Sequence, residues 1–139
     1  VNFSIQGLCA ALAKQTILRT VDEAKKAEFK ARFMLLIHDE LLFSVPRAEA
    51  ARFCDFLYEQ MIQDTDLLPG VKVDSSVAMG YTFQPFDPIL APYGQIELMD
   101  IQDNVPVIPE ECWGEKASAA QRDDIINYLT IGRMTAAAA

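Results

Sequence analysis

The chain is short of histidine and of cysteine, with one and three in 139 residues, and each shortage removes function classes. Cys9, Cys54 and Cys112 lie far apart and are odd in number, so they predict reduced, buried thiols and no disulfide framework. A single histidine without a close cysteine pair argues against a structural zinc site. Long hydrophobic runs are missing too: 51% of residues are apolar, yet no run approaches a membrane span. A soluble, intracellular chain without a membrane partner is therefore expected. Positive charge is the last scarcity, twelve Lys and Arg against twenty Asp and Glu, for a net charge of −8.

That deficit is unevenly spread. Residues 1–47 hold seven basic against five acidic side chains, a balance of +2, while residues 48–139 hold five against fifteen, a balance of −10. Any polyanionic partner should meet the N-terminal part, because the C-terminal part would repel it. No basic stripe is long enough to hold such a partner alone.

The segment Leu35-Leu36-Ile37-His38-Asp39-Glu40-Leu41-Leu42-Phe43-Ser44-Val45-Pro46 carries the strongest pattern. Two adjacent carboxylates and the only histidine sit between short apolar runs, which predicts a β-hairpin with buried arms and a charged tip. Phe33 to Ile37 is continuously apolar, as in a strand covered on both faces, and the second strand stops at Pro46. Acids between buried strands need compensation, so a divalent cation or a cationic partner is expected there. The alternative is an ordinary polar turn.

These residues resemble motif C in the palm of family A DNA polymerases. Asn2-Phe3-Ser4-Ile5-Gln6-Gly7, followed by an Ala-rich helix with Lys14, resembles the Asn-x-x-Ile-Gln-Gly element that precedes motif C in that family at about this distance. The resemblance covers Val1 to about Phe83. It implies that Asp39 coordinates two catalytic Mg²⁺ or Mn²⁺ ions, with Glu40 supporting the metal site and His38 near the primer terminus. It implies DNA contacts by Asn2, Gln6, Lys14 and His38, with primer–template DNA and a dNTP as partners. Three positions depart from the pattern: Leu36 replaces a frequent Gln, Ala11 a polar residue and Leu8 a small hydroxyl residue. These changes remove secondary polar contacts and leave the metal ligand intact.

Two-metal phosphoryl transfer needs carboxylates from at least two strands, and the resemblance accounts for one. The family's motif A aspartate and its fingers, with the Lys and Arg that hold the triphosphate, lie upstream in relatives. The expectation is a C-terminal piece, whether a separate subunit, a processed product or an excised segment, inactive without the polypeptide that carries motif A and the fingers. Pro92-Tyr93-Gly94-Gln95-Ile96-Glu97-Leu98 echoes motif A, but Pro92 stands where the metal-binding Asp belongs and has no ligand atom, so the echo is read as coincidence. The family also implies a cytoplasmic setting, bacterial or phage-infected, or an organelle.

The expected fold class is α+β: a small antiparallel sheet with the motif C hairpin packed on two long helices, a partial palm, followed by an extended segment and a terminal helix. One helix is read from about Ser4 to Glu28, with Ile5, Leu8, Leu12, Ile17, Val21 and Ala24 at helical spacing and Lys25, Lys26 and Lys30 near its end. A second runs from Arg47 to about Gln63 on a stripe of Ala50, Phe53, Cys54, Leu57 and Met61. Alternation of Val71, Val73, Val77 and Met79 predicts a third strand beside the hairpin. The absent motif A strand should leave an open sheet edge.

The expected division is 1–83 partial palm, 84–115 a Pro-rich acidic extension, and 116–139 a terminal helix and Ala tail. Bacterial members of the family usually end near the closing strand, so residues 84–115 read as an extension that wraps a surface or links to another. Trp113 is expected to be packed. Ser118 and Gln121 form a capping box for the last helix, with Ile125 and Leu129 on its apolar face and Gly132 ending it. That face is read as docking on the parent polymerase. Two other functions compete. One is a non-catalytic interaction module, a polymerase remnant that binds a replication protein. The other is a hydrolase with His38 as base, which Asp39 argues against, because adjacent strand residues point to opposite faces.

Overall fold

The computed structural model describes residues 2–97, 101–102, 105–106, 108, 110–113 and 118–127. Its contacts divide the chain into two units, Val1–Ser75 and Ser76–Ala139.

The first unit opens with helix α1, Asn2–Lys26. It carries no proline, and Lys25 and Lys26 in its last turn suit the negative end of the helix dipole. Its end is a Schellman motif. The Phe29 N–H donates to the Ala24 carbonyl and the Glu28 N–H to the Lys25 carbonyl, both at 3.0 Å. Glu28 is left-handed, with φ 60°. The turn also sends Phe29 back toward α2.

Of the apolar stripe expected on α1, Ala24 is buried, Leu8, Leu12, Ile17 and Val21 are half-buried, and Ile5 is exposed. The deeply buried line is instead Thr16, Thr20 and Ala24, spaced four apart on one face. Small side chains let a neighbour come close, so burial follows residue size here more than hydrophobicity.

Strands β1, Arg32–Ile37, and β2, Glu40–Ser44, form an antiparallel hairpin. Ile37 pairs with Glu40, Leu36 with Leu41, Leu35 with Leu42 and Phe33 with Phe43, while Met34 is the extra residue of a bulge. A 3₁₀ turn, Arg47–Glu49, then leads into helix α2, Ala50–Ile62. Its expected stripe is observed: Ala50 and Phe53 are buried, and Cys54, Leu57 and Met61 are half-buried. Burial, and secondarily Asp55, push the Cys54 thiol up to about 11, as suits an unreactive packed cysteine.

The core of this unit is aromatic. Phe53, 1% exposed, meets Phe29 at 5.2 Å, Phe43 at 5.3 Å and Phe56 at 5.7 Å between ring centroids. Phe33 meets Phe43 edge-on at 5.5 Å. One side chain of α2 thus joins the end of α1 to the hairpin. Edge-to-face pairs of this kind add about 1 kcal/mol beyond their burial.

Two expectations for the hairpin are corrected. Its arms are not covered on both faces, since Met34, Leu35 and Leu36 are exposed. Coverage on both faces needs a second layer, and among the described residues the aromatic contact of α2 with the hairpin is made to Phe43, on which Phe33 rests in turn. The hairpin also remains a two-stranded sheet among the described residues. Of the four residues expected to alternate, Val73, Val77 and Met79 are half-buried but Val71 is exposed, and only β3, Ala78–Met79, is a strand, which pairs with β4, Ile96–Glu97. The bonds that would have joined the hairpin are made within the second unit.

In that second unit Gly80 and Gly94 allow main chains to touch. A Cβ on Gly94 would lie 2.6 Å from the Pro85 carbonyl, and one on Gly80 would lie 2.6 Å from Gly94. Short strands β5, Ile101–Gln102, and β6, Val105–Pro106, pair with each other. Helix α3 is Glu110–Trp113, and helix α4 covers 119–127. The capping box is observed: the Ser118 N–H donates to Gln121 Oε1 at 2.9 Å, and the Gln121 N–H to Ser118 Oγ at 3.3 Å. Leu129, Gly132 and the Ala tail lie outside the described residues.

Trp113 and Ile125 are buried together, with Phe86 and Ile108 against them. Phe86 meets the Trp113 ring edge-on at 5.5 Å, and Arg122 lies over that ring while its Nη1 pairs with Glu110. Residues read as a wrapping extension therefore contribute to a core of their own. Ile125, read as part of a docking face, is used in it. No helix among the described residues is long and apolar enough to cross a membrane.

Candidate functional site

The tip of the hairpin is a two-residue loop, His38-Asp39, closed by the Ile37–Glu40 pair. His38 has φ 54°, the left-handed conformation that the tight hairpin turns require at this place. His38, Asp39 and Glu40 are all exposed. The expectation that burial alone forces a counter-cation is thereby corrected, because water solvates carboxylates at such a position.

The donor set still fits a hard cation. Two carboxylates on adjacent residues offer oxygen ligands, and Mg²⁺ is commonly held by one or two carboxylates, with water and substrate phosphates completing its shell. Among the described residues no group of three or more His, Cys, Asp or Glu side chains gathers around a point. In the motif A echo, Gly94 is pressed against Pro85 and Ile96 is buried. Those residues serve packing.

The other predicted contacts lie on α1. Asn2 and Gln6 are four residues apart and share a helix face. Gln6 and Lys14 are exposed, whereas the side chain of Asn2 lies outside those described. Ser4 to Gly7 and Cys9 to Ala11 are also exposed, so the first turns of α1 present an open surface. At 1.5 Å per residue, Gln6 and Lys14 are separated by about 12 Å along the axis.

Sequence reasoning missed the polar clasp that fixes α1 on α2. Arg19 Nε donates to Gln60 Oε1 at 3.2 Å, and Arg19 Nη2 donates to the Gln60 carbonyl. Thr65 Oγ1 donates to Gln15 Oε1 at 2.5 Å and accepts from the Leu67 N–H at 3.2 Å. The partners are 41 and 50 residues apart, and no local pattern signals them. Through this clasp and the Phe53 cluster, α2 is the common support of the hairpin and of the helix bearing Gln6 and Lys14.

Residues 1–85 match DNA polymerase family A, and this match runs through both the first helix and the hairpin tip. The chain belongs to DNA polymerase family A. Among relatives, DNA polymerase I of Bacillus caldotenax is 34% identical over 74 residues, which are 53% of this chain and 8% of that protein. DNA polymerase I of Geobacillus stearothermophilus is 32% identical over 74 residues, again 53% of this chain and 8% of the relative. That of Bacillus subtilis (strain 168) is 37% identical over 49 residues, 35% of this chain and 6% of the relative. The family A chain thus spans less than a tenth of the length of these relatives. No solved structure matches it.

Proposed function

We propose that this chain supplies motif C of a polymerase palm, with Asp39 and Glu40 acting in nucleotidyl transfer at a primer 3′ end. The observation that carries the reading is the family match running through a tight turn whose two carboxylates face solvent. In the reaction the primer 3′ oxygen bonds to the α-phosphorus of a dNTP, while the bond to the leaving pyrophosphate breaks. Divalent ions, when bound, supply activation of that hydroxyl and neutralisation of the leaving group's charge. Asp39 holds the metal side of the site and Glu40 supports it. His38 lies by the primer terminus, and Gln6, Asn2 and Lys14 line the DNA side. The remaining carboxylate, of motif A, and the triphosphate-binding fingers come from polypeptide outside these residues.

Asp39→Asn in the assembled polymerase is expected to lower incorporation by about 10³-fold, the loss of several kcal/mol of transition-state stabilisation, while assembly persists. Primer extension by the assembled variant measures this, and full incorporation would overturn the reading. A second reading, a polymerase remnant that binds a replication protein, is favoured by a separate observation. The family match ends at residue 85, yet the second unit continues beyond it with its own core. Undiminished incorporation by the Asp39 variant would select it.

A further inference from the structure

The turn carrying the two carboxylates is as short as a hairpin commonly allows. Ile37 pairs with Glu40 across only His38 and Asp39. Both turns that suit a two-residue loop need positive φ at its first residue, because only then does the turn's twist match that of the strands. His38 meets this requirement with φ 54°, and because Asp39 does not share the positive φ, the turn is the kind that favours glycine at its first position. Glycine enters this region without steric cost. Among residues with side chains, His, Asn and Asp enter it most readily, and a β-branched residue there is an outlier. The register has little tolerance: a slip of one residue would move Glu40 to the other face of the ribbon.

We propose that His38 is a positioning residue, whose positive-φ backbone holds the two-residue turn that presents Asp39 and Glu40 at the exposed tip of the hairpin. This role is separate from that of its imidazole. The functional consequence rests on the proposed metal role of the two acids, whereas the conformational requirement stands on the turn itself.

The test uses the full 139-residue chain with His38→Gly, His38→Asn and His38→Val. Glu28→Val serves as the control, since it places the same outlier at the other left-handed non-glycine residue, φ 60°, at the end of α1. Amide hydrogen exchange from Ile37 to Leu41 reports the turn, and paramagnetic broadening of the Asp39 and Glu40 amides by Mn²⁺ reports the acids. His38→Val should speed exchange and weaken Mn²⁺ binding by about tenfold, while Gly and Asn preserve both better than Val does. Glu28→Val should lower Tm and leave the broadening in place. Equal behaviour of Gly, Asn and Val, whether all retain or all lose, would overturn the proposal and in the second case assign the effect to the imidazole. Absence of broadening in the unaltered chain would sink the metal reading alone, and the exchange ranking would still decide whether His38 holds the turn.

Discussion

Thr20 shows how one residue can be buried without being satisfied. It is 0% exposed, and its hydroxyl has no hydrogen-bond partner. A hydroxyl in that state carries its desolvation cost with no bond in return. Thr20→Val keeps the β-branched shape and removes the polar atom. It should raise stability by about 1 kcal/mol in urea unfolding, whereas Thr20→Leu should lower it by overfilling the same space. At this scale the sequence misleads, since a threonine in a charged, mixed helix reads as a surface residue. Asp39 and Glu40 are the opposite case: their identity is plain in sequence, while their exposure follows from the layers around the hairpin.

Among the elements, α2 has the largest structural role. Its apolar stripe is legible from spacing alone, because Ala50, Phe53, Cys54, Leu57 and Met61 recur at helical intervals. What that stripe meets is not legible. Phe53 gathers Phe29 from the end of α1 and Phe43 from the hairpin, and Gln60 receives Arg19 from the middle of α1. Arg19→Met retains much of the stem and leaves the buried Gln60 oxygens without their donor. It should destabilise the protein by about 2 kcal/mol, and a double-mutant cycle with Gln60→Leu in urea unfolding should recover part of that loss. If the two changes were simply additive, the clasp would contribute nothing to holding α1.

The whole chain divides into two units, each with its own aromatic centre: the Phe53 cluster in one, and Phe86 with Trp113 in the other. Because Trp113 is the only tryptophan, its fluorescence reports the second unit selectively. Gly94→Ala would place a Cβ 2.6 Å from the Pro85 carbonyl, a contact the main chain must move to relieve. Loss of the buried Trp113 signal, with the far-UV helix signal of α1 and α2 retained, is the expected outcome. The sequence by itself determined the family, the two long helices, the hairpin with its acidic tip, and the capping box at Ser118, because each is written in neighbouring residues or in a short repeat. Only the tertiary structure decided that Met34, Leu35 and Leu36 of the hairpin are exposed, that the strand at Ala78 pairs with Ile96 and Glu97, that Arg19 clasps Gln60, and that Trp113 and Ile125 share a core. Those outcomes depend on which distant segments come together, and local periodicity carries no information about a partner dozens of residues away.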